Sequence, residues 1–292
     1  MNGEVRLLRN LLIETSSLWG AFSRRGRRKL AMEGPLIAEP SIPMAKSSIS
    51  IITILAALLF GGCVEAGASD TASYEAERRA LMREIERDVR ETAEYLNRRE
   101  LDERVMAAMA SVPRHEFVRP EDRDLAYANR PLPIGYGQTI SQPYIVAVMT
   151  DLLEPAKGCR ALEVGTGSGY QAAVLSRLCE KVYTLEIVEG LGQQARARLA
   201  RLGYTNVDVR IGDGYYGWPE AAPFDVIVVT AVAGHIPPPL LKQLKPGGRM
   251  VLPVGTRFTT QQLVLVRKLD DGRITTRQML PVAFVPLTGG HD

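Results

Sequence analysis

The segment that most constrains this chain is Arg160-Ala-Leu-Glu-Val-Gly-Thr-Gly-Ser-Gly-Tyr170, an apolar strand running directly into a glycine-rich turn and then a helix. Gly165, Gly167 and Gly169 allow backbone conformations closed to residues with a Cβ and let main chain approach a ligand closely. Glu163 stands two positions before the first of them. A dinucleotide-binding turn more often reads G-x-G-x-x-G, with the pyrophosphate on amides at the helix start. Here the spacing is G-x-G-x-G. A tight strand-to-helix turn without any ligand is the competing reading of so short a motif, and other segments must decide between them.

An acidic residue followed by G-x-G-x-G resembles the first motif of S-adenosylmethionine-dependent methyltransferases. That resemblance implies a cofactor with no phosphate to hold. The glycines would make room for its methionine and ribose parts, and a carboxylate would bind an ammonium group or ribose hydroxyls.

The rest of the chain supplies a scaffold. Strand patterns at Ala161–Val164, Lys181–Glu186, Val207–Ile211, Phe224–Thr230 and Arg249–Pro253 alternate with helix patterns at Tyr170–Leu178, Leu191–Leu202 and Pro238–Leu244. Near-continuous apolar runs such as Val226-Ile-Val-Val229 predict strands covered on both faces. The expected fold is α/β, a doubly wound Rossmann-like sheet. Gln262–Leu269 and Thr275–Phe284 flank Asp270-Asp-Gly-Arg273, which predicts a C-terminal antiparallel hairpin. From Ser73 to Ala110 the spacing of Leu81, Ile85, Val89, Ala93 and Leu96 predicts two helices, an N-terminal helical extension of the sheet. Pro113 to Tyr144 reads as irregular chain, in which Ser141 before Gln142 and Pro143 is a competent N-cap.

In open α/β sheets the ligand lies beyond the carboxyl ends of the strands. Glu163 and the glycines close the first strand, Glu186 the second and Thr230 the fourth, while Asp213-Gly214 follow the third. Glu186 is placed to accept from both ribose hydroxyls, and Asp213 from the adenine amino group. The plain alternatives are a helix cap for Glu186 and an ordinary turn for Asp213-Gly214.

Residues 1–70 differ from the rest, and 71–292 are expected to form the catalytic domain. Arg24, Arg25, Arg27, Arg28 and Lys29 form a basic cluster, and an apolar run extends from Ile49 to Val64. That run is shorter than the ~20 residues a spanning helix requires. It matches a secretory core better, read from Met44, with Leu-Leu-Phe-Gly-Gly-Cys63 resembling a degraded lipoprotein box. Any membrane contact is expected only there. The net charge of +3 gives no reason to expect nucleic acid. The three cysteines have no metal-ligand spacing, and their odd count argues against a disulfide framework. Cys159 and Cys179 are read as small apolar residues in a reducing compartment.

The runs Gly137-Gln-Thr-Ile-Ser-Gln-Pro-Tyr144, Leu162 to Tyr170, Gly212-Asp-Gly214, Ala222-Pro-Phe-Asp-Val-Ile227, Leu252-Pro-Val-Gly255 and Phe284-Val-Pro-Leu287 resemble, in order, the protein-L-isoaspartate (D-aspartate) O-methyltransferase family. The resemblance spans about residues 75 to 290. It implies repair of damaged proteins: methylation of the free carboxyl of L-isoaspartyl, and less well D-aspartyl, residues to an ester that collapses to a succinimide. It implies S-adenosyl-L-methionine as cofactor, no metal, and isoaspartyl peptides and proteins as partners. Ser141 matches the active-site serine, and Gln138, Thr139 and Ile140 its cofactor-contacting loop. Glu163, Gly165, Gly167, Gly169, Glu186, Asp213, Gly214 and Thr288 fall at the remaining cofactor positions. Tyr144 stands where some relatives carry His.

An acceptor carboxylate with a pKa near ~4 is already ionised at neutral pH, so no strong general base is required. Ser141 is therefore expected to position substrate rather than attack it, and His115, His235 and His291 have no triad setting. Backbone edges at Val232–Ile236 or Pro253–Thr256 are expected to recognise the peptide. A monomer in the cytoplasm is expected, where the cofactor is made, with export or lipid anchoring through residues 44–63 as the alternative. The rival functions are a methyltransferase for another substrate and an inactive exported binding protein.

Overall fold

The computed structural model describes residues 64–256 and 259–290, with side chains of the first helix described from residue 73 onward. The basic cluster, nearly all of the apolar run, Cys63 and His291 lie outside the described residues. Among the described residues no helix is long and apolar enough to cross a membrane.

Helix α1 (Val64–Glu91) and α2 (Glu103–Ser111) form the N-terminal layer, joined through a single helical turn at Ala93–Leu96. Leu81, Ile85 and Val89 recur every fourth residue, so one stripe of α1 is buried, with Asp88 beside it, while most of its other charged residues face water. The expected boundary between residues 70 and 71 falls inside α1. Asp102 caps α2, its carboxylate accepting from the Arg104 amide at 2.8 Å.

The stretch expected to be irregular contains a short hairpin, β1 (Leu132–Gly135) paired antiparallel with β2 (Gln138–Ile140). It leads into α3 (Pro143–Leu152). The helix begins one residue later than the capping pattern predicts: Gln142 is the N-cap, and Pro143 takes the first helical position, where a missing N–H costs nothing. Ser141 is therefore outside the helix and does not cap it.

The main sheet follows, with β3 (Arg160–Val164), α4 (Tyr170–Ser176), β4 (Lys181–Glu186), α5 (Glu189–Arg201), β5 (Val207–Ile211), β6 (Phe224–Val229), α6 (Pro238–Gln243), β7 (Leu244–Val254), β8 (Gln261–Lys268) and β9 (Ile274–Val282). Its strand order is β5-β4-β3-β6-β7-β8-β9. The first five strands are parallel, and β8 and β9 add antiparallel pairings. The chain winds outward in both directions from β3 and β6, so the switch point lies between them. β7 begins at Leu244, ahead of the Arg249 start that its pattern predicts, which leaves α6 without an intervening loop.

Alternate residues of each central strand go to opposite faces. Ala161, Val226, Val228 and Val251 pack with α1, α3 and α4 in one apolar cluster. Leu162, Val164, Ile227, Val229, Met250 and Leu252 pack with Leu240 of α6 in the other. Burial on both faces is what the uninterrupted apolar runs predict.

The cysteine reading is overturned. Cys159 and Cys179 are joined in a disulfide, with Cα atoms 4.6 Å apart. The bond closes the two ends of the β3–turn–α4 unit, and the Glu180 amide donates to the Cys159 carbonyl at 3.0 Å beside it. Pairing is a matter of spatial approach, which an odd count in a linear sequence does not exclude. A covalent tie across 20 residues restricts the unfolded chain and contributes roughly 2–4 kcal/mol. Replacing both cysteines by alanine is expected to lower Tm by roughly 5–10 °C in non-reducing buffer, measured by differential scanning fluorimetry. An unaltered melting temperature would show that the bridge adds nothing.

Candidate active site

Parallel pairing aligns Val164 with Leu185 on one side and with Val229 on the other, so the tips of β3, β4 and β6 meet. Between them opens a cleft of about 560 Å³, its open mouth included. It is lined by the glycine turn, the residues after β4, Thr230-Ala231, Gln138-Thr139 of the hairpin and the terminal segment Val285–Thr288.

Two glycines make the cleft possible. At Gly165, with φ +96°, a Cβ would lie 2.4 Å from the Thr230 hydroxyl oxygen. At Gly214 a Cβ would come within 2.3 Å of Val164. The Thr230 hydroxyl is 2.7 Å from the Gly165 carbonyl and 3.1 Å from that of Val164, tying the tips of β3 and β6 together.

Glu186 is the central acid. One carboxylate oxygen accepts from the Gly167 amide at 2.7 Å and the other from the Val188 amide at 2.9 Å. Val188 is the N-cap of α5, so Glu186 bonds the residue before the helix and no side chain caps its first turn, while the same carboxylate lines the cleft. Each oxygen keeps a lone pair for a ligand hydroxyl.

Of the other expected residues, Gln138, Thr139, Gly165, Gly167, Gly214 and Thr288 line the cleft beside Glu186. Ile140, Ser141, Glu163, Gly169 and Asp213 stand outside its lining. Ile140 is buried at the end of β2, and Gly169 is the N-cap of α4. Asp213 accepts from the Tyr215 amide at 2.9 Å and the Gly290 amide at 3.2 Å, holding the chain's terminal segment beside the cleft. Ser141 is half-buried, two residues past Thr139, and its hydroxyl makes no hydrogen bond among the described residues.

Glu163 lies behind the turn. It is fully buried and accepts from the Thr184 hydroxyl at 2.5 Å, which is itself 2.6 Å from the Thr166 hydroxyl. Its second oxygen has no hydrogen-bond partner. Strand alternation explains the placement, since Glu163 and Val164 point to opposite faces of the sheet. Burial pushes its pKa from 4.5 up to about 8, with the Thr184 bond opposing and the Glu186 charge adding to the rise.

The signal for the lining residues that motif reasoning passed over was partly available. Thr230 closes β6, and Ile187 and Val188 directly follow Glu186. Val285, Pro286 and Leu287 reach the cleft only because the Val232 amide donates to Val285 and the Leu287 amide to Val232, each at 2.8 Å. Those bonds also correct the expected peptide edge. The amides and carbonyls of Val232 and Ala233 are used within the chain, as are the Pro253 carbonyl and Gly255 amide. Among the described residues, the backbone groups of Gly234 to Ile236 make no main-chain hydrogen bond outside helices and strands.

Because the native state holds a proton on Glu163 that the unfolded chain releases near pH 4.5, stability falls as pH rises from there towards 8. Glu163→Gln is expected to remove that decline, so that its advantage in unfolding free energy over the parent grows from pH 5 to pH 8 in urea titrations. A difference independent of pH would mean that Glu163 is ionised throughout.

The family model for protein-L-isoaspartate(D-aspartate) O-methyltransferase matches residues 89–292. A protein-L-isoaspartate O-methyltransferase 2 of Syntrophobacter fumaroxidans is 62% identical over 241 residues, covering 82% of this chain and 96% of that protein. Another, of a Polaromonas species, is 65% identical over 209 residues, covering 72% and 99%. A solved protein-L-isoaspartate O-methyltransferase superposes with a TM-score of 0.63 at 30% identity, covering 73% of this chain and 66% of that one. A beta-aspartate methyltransferase from Plasmodium falciparum, solved in complex with S-adenosyl-L-homocysteine, matches at a TM-score of 0.61 and 24% identity, over 74% of this chain and 98% of that one, and speaks to the fold alone. With the family model covering the whole sheet and relatives matched over nearly their whole length, this chain belongs to the protein-L-isoaspartate O-methyltransferase family.

Proposed function

We propose that this chain methylates the free carboxyl of L-isoaspartyl, and less readily D-aspartyl, residues in damaged proteins, with S-adenosyl-L-methionine held in the cleft at the strand tips. The observation that carries the reading is Glu186, a cleft-lining carboxylate fixed by two backbone amides, next to glycines whose missing side chains let the strand tips pack closely around it. When bound, S-adenosylmethionine supplies a sulfonium methyl that passes to a carboxylate oxygen, the carbon–sulfur bond's electrons leaving on a neutral thioether.

The chain's own residues bind and align. Glu186 accepts from ribose hydroxyls with its remaining lone pairs, and Asp213 and Gly214 border the adenine end. Gln138, Thr139 and Thr288 close the cleft from the hairpin and the terminal segment. Glu163 acts from beneath: a neutral acid bonded to Thr184 supports the turn and adds no second negative charge beside Glu186. The Ser141 hydroxyl donates to the acceptor carboxylate and fixes its approach. Holding oxygen, methyl and sulfur in line is worth roughly 7 to 11 kcal/mol in favourable cases, which covers much of what an ionised acceptor needs. The backbone of Gly234–Ile236 recognises the peptide without reading its side chains, as suits damage arising in many sequence contexts.

Residues 71–292 act as the catalytic domain and as a monomer, with residues 1–70 an N-terminal extension. Cofactor supply supports a cytoplasmic location. The Cys159–Cys179 disulfide favours a second reading, in which the chain is exported or lipid-anchored through residues 44–63, because such bonds persist in oxidising compartments. Alkylating thiols in intact cells before mass analysis separates the two. Alkylation of both Cys159 and Cys179 in an unprocessed chain places it in the cytoplasm, and an unreactive pair with a processed N-terminus places it outside.

Methyl transfer is expected to an isoaspartyl peptide and not to its aspartyl twin, measured with radiolabelled donor. Ser141→Ala should lower kcat with little loss of cofactor affinity, and Glu186→Ala should weaken cofactor binding more than kcat. Equal effects of both variants on both parameters would remove these roles.

A further inference from the structure

Arg114 is a cation sealed inside the protein. It sits on the short turn Arg114–Glu116 and is 0% exposed. No carboxylate pairs with it among the described residues. Its Nε donates to the Ala126 carbonyl at 2.9 Å, and one terminal nitrogen donates to the Ser141 carbonyl at 2.9 Å and the Arg130 carbonyl at 3.4 Å. The guanidinium carbon lies 4.8 Å from the centre of the Tyr170 ring. Tyr170 is the first residue of α4, directly after the glycine turn, and its ring packs edge-on against Phe117.

Burying a cation without a counter-charge is costly, and an apolar residue would fill the same volume without that cost. What Arg114 supplies instead is geometry. Its planar fork meets carbonyls from separate segments while its face rests on an aromatic ring, a combination that lysine's single ammonium does not reproduce. Burial draws its pKa down to about 10, so it stays charged at neutral pH. Asn129 makes a second tie nearby, its side chain accepting from the Tyr144 amide at 3.0 Å and its carbonyl from the Gln142 side chain at 2.9 Å. That tie holds the start of α3 and leaves Ser141 itself to Arg114.

We propose that Arg114 is a positioning residue for methyl transfer, setting the distance between Ser141 and the cofactor-binding turn by donating to the Ser141 carbonyl while resting on Tyr170. The proposal rests on the reading of Ser141 as the residue that presents the acceptor carboxylate. Small displacements matter here, because a shift of about 1 Å in an aligned reaction can cost on the order of 100-fold in rate.

The test compares Arg114→Lys, Arg114→Gln, Ser141→Ala and both double variants in the full chain. It measures kcat and KM for an isoaspartyl peptide, Kd for S-adenosyl-L-homocysteine, and Tm, all well below each variant's melting point. Arg114→Gln is expected to lower kcat roughly 10- to 100-fold with Kd changed less than about threefold. Arg114→Lys should restore Tm more fully than kcat. Each double variant should be no slower than Ser141→Ala alone, because both changes disable one device. Multiplying losses, or a kcat loss matched by an equal loss of S-adenosyl-L-homocysteine affinity, would overturn the proposal. Should Arg114→Gln not fold, the lysine variant and its double variant carry the same comparison. If Ser141→Ala leaves kcat unchanged, the Ser141 reading fails, and the proposal fails with it for that separate reason.

Discussion

The parallel register of β3 between β4 and β6 brings Gly165, Glu186 and Thr230 together, although the chain separates them widely. Each tip is then locked to its neighbour by a polar contact: Glu186 to the Gly167 amide, and the Thr230 hydroxyl to the Gly165 carbonyl. Main-chain bonds already satisfy the Gly165, Thr166 and Thr230 amides, and Glu186 satisfies those of Gly167 and Val188. These bonds fix a cradle in which the Glu186 carboxylate is already oriented before a ligand arrives, which limits the ordering cost of binding.

Beneath the cradle the structure trades stability for shape. Glu163 occupies an apolar layer where an alkyl side chain would be cheaper, and its proton is retained well above the usual carboxylate range. Its contact with Thr184, and through Thr184 with Thr166, reaches the underside of the turn. On the acceptor side Arg114 has the same character, a buried polar group that ties loops together. A site built from short loops gains rigidity from such groups when helices and strands supply too little.

Most of the sheet was legible because a central parallel strand needs apolar residues on both faces, and few other structures demand runs such as Val226 to Val229. The acids at strand tips were legible for a related reason, since position at a carboxyl end follows once the strand is assigned. The β1–β2 hairpin was not, because strands of four and three residues interrupted by Pro133 and Gly135 carry almost no periodicity. The motif position of Glu163 points to ligand contact, whereas the two-residue alternation of β3 turns it inward. The disulfide and the paired edge at Val232 depend on contacts between distant segments, which no local pattern encodes. Arg114 carried no motif signal, as its partners are main-chain carbonyls that any residue could supply.

A donor site at the strand tips and the Ser141 hydroxyl, on the segment between β2 and α3, must converge on one point for methyl transfer. A crystal structure with S-adenosyl-L-homocysteine and an isoaspartyl peptide tests that convergence directly. The account predicts the nucleoside against Glu186 and the peptide's free carboxylate within hydrogen-bonding distance of the Ser141 hydroxyl, facing the ligand's sulfur. A carboxylate held by other residues, with Ser141 turned away, would contradict it.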